Sequence, residues 1–349
     1  MKKTLILILI IIFSSFMMLG VSCSKESVSS EGEITSAEDT EVDTTEASVS
    51  ETSASEAVSE EKLTVGIVVK VLTGNSFQIN LGDYAKNAAE ELGFEATVLA
   101  PQTFEAYQEQ ISIIEDFITK KVSFIVVAPS SPTAIIPVIE KAEAAGIPVI
   151  LMDGELEGTT VPLATIATNN VNAAYSGTKW LLEKIGGKGK IVHLEGESGN
   201  IVGEMRKEGM LKALEEYPDA ELVVSQNAHW TEEGGLQVMQ NALQSNPDIA
   251  GVFCANDNAA IGAIGAIKAA GVDPVIVGYD AITEALELIK SGDLDATVAQ
   301  FPKAMAETAV KIGAAYLEYF KGGSVIVFKD NIDSGAAIVT PENVDEFLQ

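Results

Sequence analysis

The chain of 349 residues has two cysteines, two histidines, 6% aromatic residues and only 22 basic residues against 51 acidic ones. Each scarcity excludes something. Cys23 belongs to an N-terminal leader pattern described below, which leaves Cys254 without a partner and rules out an intramolecular disulfide. Cys254 lies in the apolar run Gly251-Val-Phe-Cys-Ala255 and reads as a buried structural thiol. His193 falls within a strand-like run and His229 beside Trp230 in a loop facing solvent; neither has the partners a hydrolase needs, and no metal-ligand spacing is present. A formal charge of -29 makes nucleic acid and anionic membrane surfaces poor partners. No Gly-x-Gly-x-x-Gly follows the first strand, which argues against a dehydrogenase. The nearest glycine spacing, Gly262-Ala-Ile-Gly265, sits inside a helical pattern where close packing accounts for it. No enzyme, cofactor or metal is expected.

What is present begins with an export leader. Lys2 and Lys3 precede an apolar run over residues 5–13, too short and too early for a stable membrane span, and Leu19-Gly20-Val21-Ser22 leads into Cys23. This resembles a lipoprotein cleavage site, with Cys23 as the residue that would carry the lipid. Residues 24–61 hold 12 acidic residues, one lysine (Lys25) and no aromatic, a composition that cannot bury enough apolar surface to offset the entropy of ordering. Leader, lipidated cysteine and polar coil together read as a tether with a reach of roughly 35 Å. The expected location is the outer face of a cell membrane under a Gram-positive wall, or the periplasm in a Gram-negative cell, with the lipid anchor as the only membrane contact.

From Lys62 onward there is enough chain for two domains. Short apolar runs at residues 65–69, 124–127, 149–151, 191–194, 222–224, 249–253 and 275–277 read as buried strands. Segments of helical period at 83–92, 105–120, 132–145 and 173–184 lie between them, the mark of a parallel sheet covered by helices. Gly93, Gly146, Gly186, Gly271, Gly292 and Gly322 stand where helices should end. The strand-helix rhythm occurs once before about Thr168 and again after it. This predicts an α/β fold of two Rossmann-like lobes, whose facing crevices at the strand ends form one ligand cleft.

The residues after the strands therefore carry the functional reading. They are Asn75, Phe77 and Gln78 after the first strand, Asp153 after the run ending at Met152, Arg206 in a helix after the loop 195–200, Trp230, Asn256, Asp280 and Gln300. Planar amides, carboxylates, a guanidinium and aromatic faces are what a sugar or polyol ligand needs. Its hydroxyls donate and accept while its C–H faces are apolar enough to lie on a ring. Several of these residues also have plainer readings: Asn75 and Asn256 as helix N-caps, Asp153 and Asp280 as turn residues, Arg206 as a surface charge and Trp230 as core.

Val223-Val-Ser-Gln226, Val238-Met-Gln-Asn241, Val252-Phe-Cys-Ala-Asn-Asp-Asn258, Ile276-Val-Gly-Tyr-Asp280 and Thr297-Val-Ala-Gln-Phe-Pro302 resemble, in order and spacing, the C-terminal half of ribose/galactose-type (type I) periplasmic binding proteins. The resemblance covers the chain from Leu63 onward and implies that the residues above, Gln78 apart, contact the ligand. It also implies delivery to the permease of an ABC importer by a monomer that closes around its ligand. A sensory protein presenting a sugar or furanose-like signal to a membrane receptor is the alternative. A lactose-repressor-type regulator would carry a helix-turn-helix where this chain has its leader and acidic coil.

The resemblance implies three hinge crossings, near 168–170, 300–301 and 328–331. Residues 62–168 plus about 301–330 would form the N-terminal lobe, and 169–300 plus about 331–349 the C-terminal lobe. Gly154 stands where an arginine is usual, Gln78 where a second aromatic is, and Ala128 where an asparagine is. A glycine at 154 supplies no donor and leaves space, so the expected ligand is not ribose but something larger or an open-chain polyol.

Overall fold

The computed structural model describes residues 63–319 and 331–348. The leader, Cys23, the acidic coil and Gly322 lie outside the described residues. In the first lobe β1 (Thr64–Val68), β2 (Glu95–Leu99), β3 (Phe124–Val127), β4 (Val149–Met152), β5 (Ala164–Ala167) and β11 (Ile332–Asp333) form one all-parallel sheet in the order β11-β5-β4-β3-β1-β2. In the second lobe β6 (Lys188–Glu195), β7 (Asp219–Asn227), β8 (Ile249–Cys254), β9 (Val275–Asp280), β10 (Ala296–Gln300) and β12 (Ala336–Val339) run β12-β10-β9-β8-β6-β7, with only β12 antiparallel. β3 and β4 are buried along their whole length, as strands covered by helices on both faces must be. In each sheet the strand order reverses at one point, between β1 and β3 and between β6 and β8. Open α/β sheets bind ligands at that crevice.

Helices α1 (Ser76–Glu91), α2 (Tyr107–Thr119) and α3 (Ile136–Ala144) belong to the first lobe. The second lobe holds α4 (Asn170–Lys184), α5 (Ile201–Leu214), α6 (Glu232–Ser245), α7 (Asp257–Ala270) and α8 (Thr283–Ser291). Helix α9 (Pro302–Tyr319) follows a strand of the second lobe yet packs on α1 and on β3, β4 and β5 of the first. In the second lobe α4 packs on α5 and α6 on α7. Gly262 on α7 lies against the backbone of Glu232, where any Cβ would overlap the Glu232 carbonyl, so this glycine serves helix contact as its sequence context predicts.

Three segments cross between the lobes: 168–169 from β5 to α4, Phe301 from β10 to α9, and 334–335 from β11 to β12. The third differs from expectation. Residues 328–330 lie outside the described residues, and Ile332–Asp333 pairs with β5 in the first sheet, so the assignment of 331–333 to the second lobe is corrected. Gly335, at φ 86°, then turns the chain across. Thr168 Oγ1 lies 3.1 Å from Ser334 Oγ, and Asn169 N–H donates to Asp333 Oδ1 at 3.2 Å, which ties the first and third crossings together.

Candidate functional site

At the end of β1 the chain continues through Lys70 to Asn75, whose side chain accepts from the Gln78 N–H at 3.0 Å and so caps α1. The cap brings Phe77 and Gln78 into the first turn, both buried. Gln78 Oε1 accepts from the Lys70 N–H at 3.0 Å, while its Nε2 donates to Asp153 Oδ2 at 2.6 Å. Lys70 Nζ donates to the same Asp153 oxygen at 2.8 Å and to the Asp153 carbonyl at 2.6 Å. Lys70 and Asp153 are each 3% exposed, so this ion pair is buried and held by an amide on its flank.

Lys70 corrects the reading of Gly154. The position is not an empty space without a donor: a Cβ there would meet the Pro129 ring at 3.0 Å, with Lys70 Nζ 3.8 Å away. Gly154 has φ 154°, which favours glycine, and the cation enters from β1 instead. Ala128 is fully buried, and its carbonyl accepts from Gln110 Nε2 at 2.9 Å.

The second lobe repeats the arrangement with Arg206, the only arginine in the chain. Asn200 caps α5, accepting from Val202 N–H at 3.0 Å and Gly203 N–H at 3.3 Å, and Arg206 follows on the same helix. Its Nε donates to Asn170 Oδ1 at 2.9 Å and its Nη1 to the Ala255 carbonyl at 2.5 Å. The guanidinium lies 3.7 Å from the centroid of the Tyr279 ring and 3.4 Å from Asp280 Oδ1. Tyr279 Oη also donates to Asn170 Oδ1, at 2.9 Å, so one amide fixes both partners of the stack.

Asp280 Oδ1 accepts from Gln300 Nε2 at 2.7 Å. Burial, only partly opposed by Arg206, pushes the Asp280 carboxyl up to about 6. Behind it Asp257, fully buried and pushed well above its ordinary value by the same desolvation, accepts from Thr297 Oγ1 at 2.6 Å and Ile282 N–H at 2.9 Å, fixing the loop that presents Asp280. Asp153 and Asp280 both have positive φ, 51° and 114°. Backbone of this kind costs energy and gathers at functional sites.

Asn75, Phe77, Gln78, Asp153, Arg206, Trp230 and Asp280 line one cavity between the lobes, of about 30 Å³. That is room for about one or two water molecules, so a larger ligand enters only when the lobes part or these side chains move. Two nominated residues stand behind this wall. Asn256 caps α7 by accepting from Ala259 N–H at 3.1 Å and spends its Nδ2 on the Trp230 carbonyl at 3.0 Å. Gln300 holds Asp280, and its Oε1 has no partner among the described residues. Lys70, Phe104, Asn200 and Val202 line the cavity without having been nominated. Phe104 comes from a loop, with its ring 6.2 Å from Trp230 across the cleft. The Trp230 Nε1–H is buried and has no partner among the described residues, and the indole lies so close over Gly196 that any Cβ there would overlap it.

His193 is buried in β6 against Ser225, with desolvation lowering it to about 4, and Cys254 is a buried thiol pushed well up by the same effect. Neither lines the cavity.

The chain matches the model of the periplasmic binding protein domain over residues 65–322. It is 33% identical to a D-apiose import binding protein of Actinobacillus succinogenes, over 67% of this chain and 76% of that protein. It is 30% identical to the D-allose-binding periplasmic protein of Escherichia coli, over 74% and 85%. A solved ABC transporter solute-binding protein from Actinobacillus succinogenes with bound D-allose superposes with TM-score 0.76 at 33% identity, covering 82% of this chain and all of that one. One from Bacillus halodurans with bound myo-inositol gives TM-score 0.75 at 28% identity, covering 82% and 97%.

Proposed function

We propose, from the premise that this chain belongs to the periplasmic binding protein domain family, that it captures one monosaccharide or small cyclic polyol in the cavity between its lobes. It serves an ABC importer as its sugar-binding component, and its chemistry is binding rather than catalysis. The observation that carries the ligand class is the pairing of two buried cation–carboxylate units, Lys70–Asp153 from one lobe and Arg206–Asp280 from the other, around one small aromatic-walled space. Each unit offers charged donors and acceptors to hydroxyl groups, and hydrogen bonds to charged partners are the strong ones. Phe77, Phe104 and Trp230 supply apolar faces for C–H groups. Contacts from both lobes to one ligand favour the closed form, because the ligand touches both sides only there.

In this reading Cys23 carries a lipid, residues 24–61 are the leash, and the closed monomer is what the permease recognises. D-allose, D-ribose, D-apiose and myo-inositol, tested side by side, should include at least one compound that raises the melting temperature, since a ligand that binds only the folded state must stabilise it. No shift from any of them, nor from a wider set of hexoses, pentoses and polyols, would refute the assignment of ligand class.

A further inference from the structure

Outside the sugar cavity, one set of side chains from both lobes converges on a point. Glu105, from the loop that carries Phe104, meets Glu197 and His229 of the second lobe, and one ligand atom from each lies within 4.8 Å of the other two. A carboxylate oxygen of Glu105 lies within 4.8 Å of one of Glu197, and His229 Nδ1 is 2.7 Å from Glu197 Oε2. Two carboxylates this close repel unless a proton or a cation lies between them. A histidine nitrogen beside two carboxylate oxygens is the donor set of a borderline transition ion, whereas calcium and magnesium take oxygen alone. Ligands of a tetrahedral zinc ion at about 2.0–2.2 Å stand about 3.3–3.6 Å from one another, so an ion fits the 4.8 Å span of the three atoms once His229 Nδ1 and Glu197 Oε2, here 2.7 Å apart, separate to admit it.

The three residues are braced from outside. Asn227 Nδ2 and the Ser198 N–H both donate to Glu197 Oε1, at 2.8 and 3.2 Å, and Asn227 Oδ1 accepts from the His229 N–H at 2.7 Å. Such outer partners orient metal ligands.

We propose that Glu105, Glu197 and His229 form a zinc-type divalent cation site that joins the two lobes at the rim of the cleft and latches the closed form. Its place in the chain makes the latch specific. Glu105 follows Phe104 and His229 precedes Trp230, so the cation joins the lobes one residue outside the ring pair that faces the cavity. The complete ligand set exists only when the lobes meet. Zn2+ therefore binds the closed form better than the open one and shifts the population towards closure. By the same linkage it tightens whatever else needs closure, and by an equal factor in each direction.

The test uses Zn2+ alone, without sugar, so it stands apart from the assignment of ligand class. Zinc chloride is titrated calorimetrically into the protein and into the Glu105→Gln and His229→Ala variants, each first shown to melt cooperatively at the wild-type temperature in chelator. X-ray scattering follows the radius of gyration. One Zn2+ per chain, a smaller radius of gyration on binding, and at least tenfold weaker binding in both variants are expected. Glu105 is the decisive residue, since it is the only ligand from the first lobe. Wild-type Zn2+ affinity in Glu105→Gln, binding without compaction, or no binding at all would overturn the latch. So would compaction that follows acidification but not Zn2+, because a shared proton would then be what joins the carboxylates.

Discussion

Asp280 sets the pH behaviour of the site. Unfolded, its carboxyl loses its proton near its ordinary value of about 3.8; folded, it holds the proton to about 6. Between those values the folded state binds more protons, so raising the pH through this window removes stability contributed by this group. Ligand binding runs the other way, because hydroxyl donors favour the ionised carboxylate. We expect sugar affinity to rise about tenfold from pH 5 to pH 7.5, one unit of protonation being a factor of ten. Asp280→Asn should flatten that profile and weaken binding by about 1.5–3 kcal/mol; calorimetry at three pH values checks both.

Lys70 makes a second case at the same scale. Lys70→Met removes the partner of a buried carboxylate, and breaking a buried pair from one side costs about 3–5 kcal/mol. A denaturant midpoint unchanged from wild type would show that Asp153 finds another partner. Nothing local in the sequence singles out Lys70: a lysine after a strand reads as a solvated surface charge, and only the fold shows it carried inward to Asp153. Arg206 and Asp280 could be read because they lie in segments with a recognisable order and spacing.

At the level of elements, the buried strands β3, β4, β8 and β9 were legible because strands covered on both faces are continuous apolar runs. β2 was not, since at the sheet edge it alternates exposed and half-buried residues and begins with Glu95. Helix α1 was expected from residue 83 and starts at Ser76. Phe77 already begins the buried stripe continued by Leu81, Ala85 and Ala88, but the polar residues Asn75, Ser76, Gln78 and Asn80 around it make the first turn read as a loop. The third crossing was misplaced for a related reason: two residues of β11 carry too little pattern to be recognised as a strand.

The β6–α5 loop, which contains Gly196 and ends at the Asn200 cap, can be tested directly. Gly196→Ala puts a methyl group where the indole of Trp230 lies and must displace the ring. The expected result is at least tenfold weaker sugar binding with a melting temperature within a few degrees of wild type. Unchanged affinity would mean that the indole position does not matter to the ligand.

At the scale of the molecule, two α/β lobes joined by three crossings put the carboxyl ends of two sheets face to face, and every cavity residue hangs from one of those ends. In the proposed reading, closure brings the Lys70–Asp153 and Arg206–Asp280 pairs around one ligand, and Phe104 and Trp230 around its rim. Trp230 is one of two tryptophans, the other being the half-buried Trp180 on α4, which does not line the cavity. In a Trp180→Phe variant the indole fluorescence therefore reports the cavity alone. Titrating this variant with D-allose, D-ribose, D-apiose and myo-inositol tests the central claim most directly. The account predicts a saturable change in Trp230 emission, with one ligand per chain, for each compound that raises the melting temperature. A compound that stabilises the protein while Trp230 emission stays constant would place the ligand elsewhere and contradict it.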